Sequence, residues 1–311
     1  MTRVLVTGAG GFSGASIVRD LLGAGHEVVA VTGRRASPSR LSLAARSGLT
    51  MVAGDLAGEV SLPDGIAAVV HAAAVSPGPG IAATGADFIR NNADVTRRLV
   101  GWARRTGVRT FVYLSSVSVF GRITTSVLDE SCPRIDPDAY GASKWLGEVV
   151  LQDNADAVAS VSLRLPSVVG PGAARNWLAS MAEAGREGRE IAYFHGDADY
   201  NNAVHVDDLS RLVTDLLRRD LRGHDMIVLA AEGTMKVRDM VRTIAAGMGG
   251  RSPLREVPPT RPAFTISIAR AQARYDYRPM AMADVVHRFV ADSRQGTPVA
   301  GAHPTRSGTE R

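Results

Sequence analysis

Through the first half of the chain, short runs of β-branched and aliphatic residues alternate with longer stretches whose apolar positions recur every three or four residues. The short runs predict strands over 3–7, 27–31, 50–53, 67–71, 110–115 and 159–164. The amphipathic stretches predict helices over 13–24, 40–47, 84–106 and 138–152. Strands separated by helical crossovers pair in parallel, and the crossovers cover both faces of the sheet they build. The fold class expected is α/β, a doubly wound parallel sheet that binds ligands at the carboxyl ends of its strands.

After Gly172 the rhythm loosens into longer polar loops, with helices predicted over 176–187 and 206–218 and shorter elements up to about 291. Residues 1–172 are therefore expected to form the sheet domain. Residues 173–293 form a smaller substrate-binding lobe, with a possible crossover back to the sheet. The stretch 294–311 is Gly, Pro, Ser, Thr and charge, the composition of a flexible tail.

The first turn carries chemistry. "VLVTGAGGFSG" sets Gly8, Gly11 and Gly14 directly after the first strand and into the first helix. Early glycines there allow a tight turn and close approach to a pyrophosphate, and the last lets helix and strand pack closely. The helix start then offers unpaired N–H groups to the phosphates. A glycine-rich turn with no ligand is the competing reading, and the motif's place at the start of a βαβ unit favours a dinucleotide site.

At the end of the second strand the chain reads "VVAVTGRRAS", so Thr32 stands where a ribose-binding carboxylate would be, and Arg34 and Arg35 follow. A carboxylate repels a 2′-phosphate and arginine binds one, which favours NADP over NAD. Asp55, in "GDL" after the third strand, either accepts from the adenine amino group or closes a turn.

A second signal is "YGASKW". Only two of the 36 basic residues are lysines, Lys144 and Lys236. Lys144 follows Tyr140 by four residues on a predicted helix, which places both on one face. An ammonium near the phenol would favour the phenolate and give a proton donor and acceptor usable near neutral pH. The competing reading is a Lys144–Glu148 pair on the same helix, worth tenths of a kcal/mol when exposed. Ser115, Ser116 and Ser118 fall at the carboxyl edge of the fifth strand, where a hydroxyl can bond a substrate oxygen.

Charge and composition narrow the alternatives. The net charge is +5, but the arginines are spread thinly with no aromatic-interleaved basic patch, so nucleic acid is not an expected partner. No stretch approaches the roughly 20 apolar residues of a membrane span, and the apolar run at the start is too short for a signal peptide. A cytoplasmic location is expected. Cys132 is the only cysteine, so neither an internal disulfide nor a metal site is expected.

"TGAGGFSG", "GDL", "HAAAV", "NNADVT", "SSVSVFG", "YGASK", "LRLPSVVGPG" and "VHVDDL" occur in the order and spacing of the extended short-chain dehydrogenases/reductases. The chain thus resembles the NAD(P)-dependent epimerase/dehydratase-like branch over residues 4–208. The resemblance implies Ser116 as the substrate-positioning hydroxyl, Tyr140 as acid/base, and Lys144 as its partner and ligand of the nicotinamide ribose. It implies a cofactor held by Gly8, Gly11, Phe12, Gly14, Arg34, Arg35, Asp55, Leu56, Ala72, Ala73, Ala74, Asn91 and Pro166. Ser118, Asn176, Asn202 and His205 are candidates to line the substrate, with Trp177, Tyr200 and Asn201 nearby. No Asp-Glu pair stands beside Ser116, which demotes a dehydratase.

The expected function is an oxidoreductase moving hydride at a secondary alcohol or ketone of a nucleotide sugar or similar polyol. A nucleotide-sugar epimerase with tightly bound NAD and a non-catalytic NADP sensor of the same fold compete with it. The helices over 84–106 and 138–152 resemble those that form a four-helix dimer interface in related enzymes, so a homodimer anchored by Trp102 and Trp145 is expected.

Overall fold

The computed structural model describes residues 2–33, 47–58, 60–78 and 81–295. In chain order the strands are β1 (Arg3–Thr7), β2 (Glu27–Thr32), β3 (Leu49–Ala53), β4 (Ala68–His71), β5 (Thr110–Ser116), β6 (Val127–Leu128) and β7 (Ala159–Leu165). They continue as β8 (Ser167–Val169), β9 (Ile191–Tyr193), β10 (Asp199–Tyr200), β11 (Ala203–His205) and β12 (His224–Val228). Seven of them form one parallel sheet in the order β12-β7-β5-β4-β1-β2-β3. The order reverses between β1 and β4, which opens the crevice where doubly wound sheets bind ligands.

Alternation along each strand divides the core. Val4, Val6, Val28, Ala30, Val70 and Val112 face one layer, while Leu5, Val29, Val31, Val69, Phe111 and Tyr113 face the other. The first layer is closed by α1 (Phe12–Gly23) through Ile17, Val18 and Leu21. On the opposite layer lies α3 (Asp94–Thr106), reached through the single turn α2 (Gly85–Phe88), with Leu99, Val100 and Ala103 on the sheet. Helix α4 (Ala139–Gln152) adds Leu151 to that layer.

The helix expected over 84–106 is not continuous. Thr84 and Asp87 form a reciprocal capping box at its start, and a π-helical turn (Ile89–Ala93) separates α2 from α3. The expected helix over 40–47 lies, except for its last residue, outside the described residues, as does the tail beyond 295.

The C-terminal part divides its loyalties. Helices α5 (Trp177–Arg186), α7 (Val237–Gly247) and α9 (Met282–Gln295) enclose a separate core of Leu178, Met181, Met240, Ile244, Val286 and Phe289. In contrast, α6 (Val206–Leu216) packs on the sheet beside α1 through Leu209, Leu212 and Val213, and β12 extends the sheet. Helix α8 (Ala269–Tyr275) is tied to β12, with Arg270 and Tyr275 on the Asp225 carboxylate. No helix among the described residues is long and apolar enough to cross a membrane.

Candidate active site

The turn after β1 leaves no room for side chains. Gly8 has φ of 66°, and a Cβ there would lie 2.6 Å from the Ala73 nitrogen. A Cβ at Gly14 would come within 2.1 Å of the Gly8 carbonyl oxygen. Gly11 occupies the N-cap of α1 without any side-chain cap, so the N–H groups of the first turn are free to meet an anion. Phe12 begins α1 and faces Gly170. On the facing loop, the Ala72 amide donates to the Thr7 carbonyl and the Ala73 amide to the Thr7 hydroxyl. Ala74 follows them, and Pro166 separates β7 from β8. This bare, backbone-lined cradle suits a dinucleotide pyrophosphate.

Thr32 ends β2 and is buried, with its carbonyl accepting from the Gly54 amide. Arg34 and Arg35 lie outside the described residues. One oxygen of Asp55 accepts from the Ala57 amide at 2.9 Å, the turn-closing arrangement. Leu56 joins Leu62, Val95, Leu99 and Trp102 along a cleft of about 430 Å³ beside α3.

Within the π turn the two asparagines part company. The Asn91 amide donates to the Asp87 carbonyl on its own helix. Asn92 is buried and does the long-range bonding: it accepts from the Val75 amide and donates to the Val75 carbonyl and the Ser143 hydroxyl. Asn92 thus fixes the loop after β4 against α4.

Of the three residues expected to do chemistry, Ser116 and Tyr140 meet at the carboxyl edge of β5, and Lys144 lies against Tyr113 of the same strand. Ser116 is its last residue, with its hydroxyl donating to Ser118 Oγ and accepting from the Ser118 amide, both at 3.1 Å. Asp138 caps α4 by accepting from the Gly141 amide, which sets Tyr140 in the first turn. Phe88 meets the Tyr140 ring edge-on, with centroids 5.9 Å apart. Burial pushes the Tyr140 phenol above its ordinary value, and the Ser116 hydroxyl pulls the other way. The lowering expected from Lys144 is not what the folded chain shows: burial raises the phenol, and the opposing pull comes from Ser116 rather than from Lys144.

Lys144 is 1% exposed, and burial brings its ammonium down to about 7, opposed by the charge of Glu148. Its Nζ lies 4.1 Å from the centroid of the Tyr113 ring. The Lys144–Glu148 pair weighed from the sequence is replaced by another. Both Glu148 oxygens are taken by Arg164, at 3.0 and 2.8 Å, and Ser115 donates to the first of them at 2.7 Å. Arg164 is fully buried under Phe120, at 4.8 Å from its ring centroid. An arginine inside the apolar strand "SVSLRLP" was the available signal, since a buried charge demands a partner.

The substrate candidates separate. Asn176 caps α5 by accepting from the Ala179 amide and donates to the Val168 carbonyl. Asn202 donates to the Phe264 carbonyl, while its Oδ1 is buried without a partner. Trp177 stacks on Phe194 and meets Tyr200 edge-on, each at 5.7 Å. Two expectations need correction. His205 is fully buried, accepts from the Asp207 amide and bonds Asp292 of α9 at 3.0 Å, so its ring ties the lobe to the sheet body. Asn201 is buried with its amide spent on the backbone of Ile266.

Comparison with known proteins places the chain in a family. The UDP-glucose 4-epimerase of Azospirillum brasilense is 30% identical over 279 residues, covering 81% of this chain and 79% of that enzyme. The 3 beta-hydroxysteroid dehydrogenase/Delta 5→4-isomerase of Mycobacterium tuberculosis is 32% identical over 182 residues, 55% of this chain and about half (48%) of that protein. The crystal structure of UDP-glucuronic acid 4-epimerase from Bacillus cereus, in complex with NAD, superposes with a TM-score of 0.80 at 20% identity. It covers 94% of this chain and 97% of its own. With residues 4–230 matching the family as a whole, the chain belongs to the NAD dependent epimerase/dehydratase family.

Proposed function

We propose that the protein transfers hydride at a secondary alcohol or ketone carbon of a nucleotide sugar or similar polyol, with Ser116, Tyr140 and Lys144 as the catalytic group. The observation that carries this reading is that Ser116 and Tyr140 meet at the carboxyl edge of β5 while Lys144 is buried against Tyr113 of the same strand. Gly8, Gly11, Phe12, Gly14 and the backbone of Ala72, Ala73 and Ala74 would hold the cofactor. When bound, the nicotinamide supplies the hydride donor or acceptor.

The chain's own residues do the rest. Ser116 exchanges its bond to Ser118 for one to the substrate oxygen. Tyr140, kept protonated by burial, gives that oxygen a proton as a ketone is reduced and takes it back in oxidation. Lys144 supplies positive charge beside the phenol and a donor for the ribose. Asn176 and the Trp177–Phe194–Tyr200 cluster line the lobe side of the cleft in this reading. The dinucleotide-binding part spans 1–172 and the substrate lobe 173–293, with α6 and β12 returning to the sheet.

NADP is the preferred cofactor in this proposal, because Thr32 offers no carboxylate at the end of β2 and Arg34 follows. A soluble, exchanging NADP suits net reduction. The epimerase reading, with NAD retained through the cycle, is favoured by the likeness to UDP-glucose 4-epimerase. Stoichiometry separates the two: one NADPH oxidised per product supports a reductase, and product without net absorbance change supports an epimerase. Arg34→Ala should weaken NADPH far more than NADH, and equal weakening of both would overturn the 2′-phosphate assignment.

A homodimer belongs to the same proposal. Trp145, Leu146 and Val149 form an exposed apolar strip on α4.

A further inference from the structure

We infer that Tyr113 is the positioning residue for Lys144: its ring face, backed by a neutral His71, seats the ammonium where a carboxylate would otherwise be required. The inference rests on reading Lys144 as the partner of Tyr140. The charge of Glu148 supports the ammonium of Lys144 at 1% exposure, but no hydrogen bond or ion pair joins the two. The carboxylate one turn along α4 is committed to Arg164 and Ser115. What the ammonium does meet is the Tyr113 ring, 4.1 Å from its centroid and within the range in which an aromatic quadrupole attracts a cation.

Three features build the seat. The β4–β5 register sets His71 beside Tyr113, and the rings stack with centroids 5.5 Å apart and planes 25° off parallel. His71 is pinned at both nitrogens, by Thr7 Oγ1 at 2.6 Å and Thr96 Oγ1 at 3.1 Å. Thr96 donates its proton to the Asn92 carbonyl, so it accepts from the Nε2–H of His71, and Nδ1 accepts from Thr7. The ring is therefore neutral and fixed in one tautomer, and burial holds it neutral down to about 3. Finally, Gly147, one turn after Lys144, leaves space for the ring. A Cβ there would lie 2.4 Å from the Tyr113 hydroxyl.

A quadrupole attracts only the charged amine, so the seat opposes the loss of the proton that burial promotes. The charged and titratable groups that act with Lys144 are Glu148 on α4 and His71 on β4, with Arg164 of β7 and Arg134, before α4, beyond them against Glu148. Arg134 approaches Glu148 at 3.8 Å and lies over Trp145. None of them changes when the electronics of ring 113 alone are altered.

The test uses the scarcity of lysine. With [13Cε]lysine the full chain gives two side-chain signals, and Lys236→Arg assigns them. Position 113 is then filled in turn by Phe and by mono-, di- and trifluorophenylalanine, which keep the ring's shape while weakening its quadrupole. Lys144 is titrated in each. The result expected is that Tyr113→Phe titrates with the parent and that the midpoint falls stepwise with fluorination, by about one pH unit across the series. Tyr113→Leu, if folded by circular dichroism, falls at least as far. A midpoint that does not move across the fluorinated series overturns the inference. Because the amine is read directly, failure of the seat and failure of the proposed reaction are separate outcomes.

Discussion

Replacing Glu148 by Gln removes one charge from the least exposed ion pair in the described structure and leaves the shape almost unchanged. The Glu148 and Arg164 side chains are 2% and 0% exposed, and the pair is joined by two bonds of 3.0 and 2.8 Å. Gln can still accept from Ser115 or from Arg164 Nε, but its NH2 group would face the Nη2 donor of Arg164. The guanidinium is then buried without its counter-charge. Arg134, 3.8 Å from the carboxylate and itself cationic, cannot compensate.

Breaking one side of such a pair costs about 3–5 kcal/mol, which corresponds to a loss of roughly 10 °C in Tm. Replacing both partners by apolar residues of similar volume, Glu148→Leu with Arg164→Met, should restore most of it, because neither charge then needs solvating. The assay is a double-mutant cycle by urea and thermal unfolding. Removing Glu148 should also lower the Lys144 midpoint below about 7, since the charge of that carboxylate opposes desolvation there alongside the Tyr113 ring. The reasoning fails if Glu148→Gln stays within about 1 kcal/mol of the parent. It fails equally if the double variant is as damaged as the two single losses added together.

Tyr140→Phe should leave cofactor affinity nearly intact while turnover drops by about 10²- to 10⁴-fold, measured by fluorescence titration alongside steady-state kinetics. Lys144 titrates at about 7 when folded against 10.5 ordinarily, so across that window the unfolded chain holds more protons and stability from this group rises with pH. Lys144→Met should therefore be more stable than the parent below pH 7, with the advantage shrinking toward pH 10; a constant gap in the melts would contradict this. Gly14→Ala sets a Cβ 2.1 Å from the Gly8 carbonyl and should cost more than about 2 kcal/mol and the dinucleotide site together, checked by melting with and without NADPH. On the proposed homodimer, Trp145→Glu with Leu146→Glu should sediment as a monomer and the parent as a dimer, and identical sedimentation of both would remove the α4 interface.

The hydrophobic pattern and the glycine spacing determined the parallel sheet, its helices and the turn of Gly8 and Gly14, while short motifs and the family resemblance singled out Ser116, Tyr140 and Lys144. Those signals are local: a strand alternates by two and a helix by three or four, and a turn that must adopt φ of 66° against backbone calls for glycine. The second half was harder to divide, since α6 and β12 return to the sheet and nothing local distinguishes a helix packed on α1 from one packed on α5. Only tertiary structure decided that Asn92 joins Val75 and Ser143, which lie on a loop and a helix distant in the chain. It also decided that His205 joins Asp292, a contact across 87 positions of chain. The same holds for Glu148, whose partner is not the lysine one turn away but an arginine on β7. Local spacing fixes which side chains share a face; which of them are neutralised, stacked or buried depends on strands and helices that arrive from elsewhere in the chain.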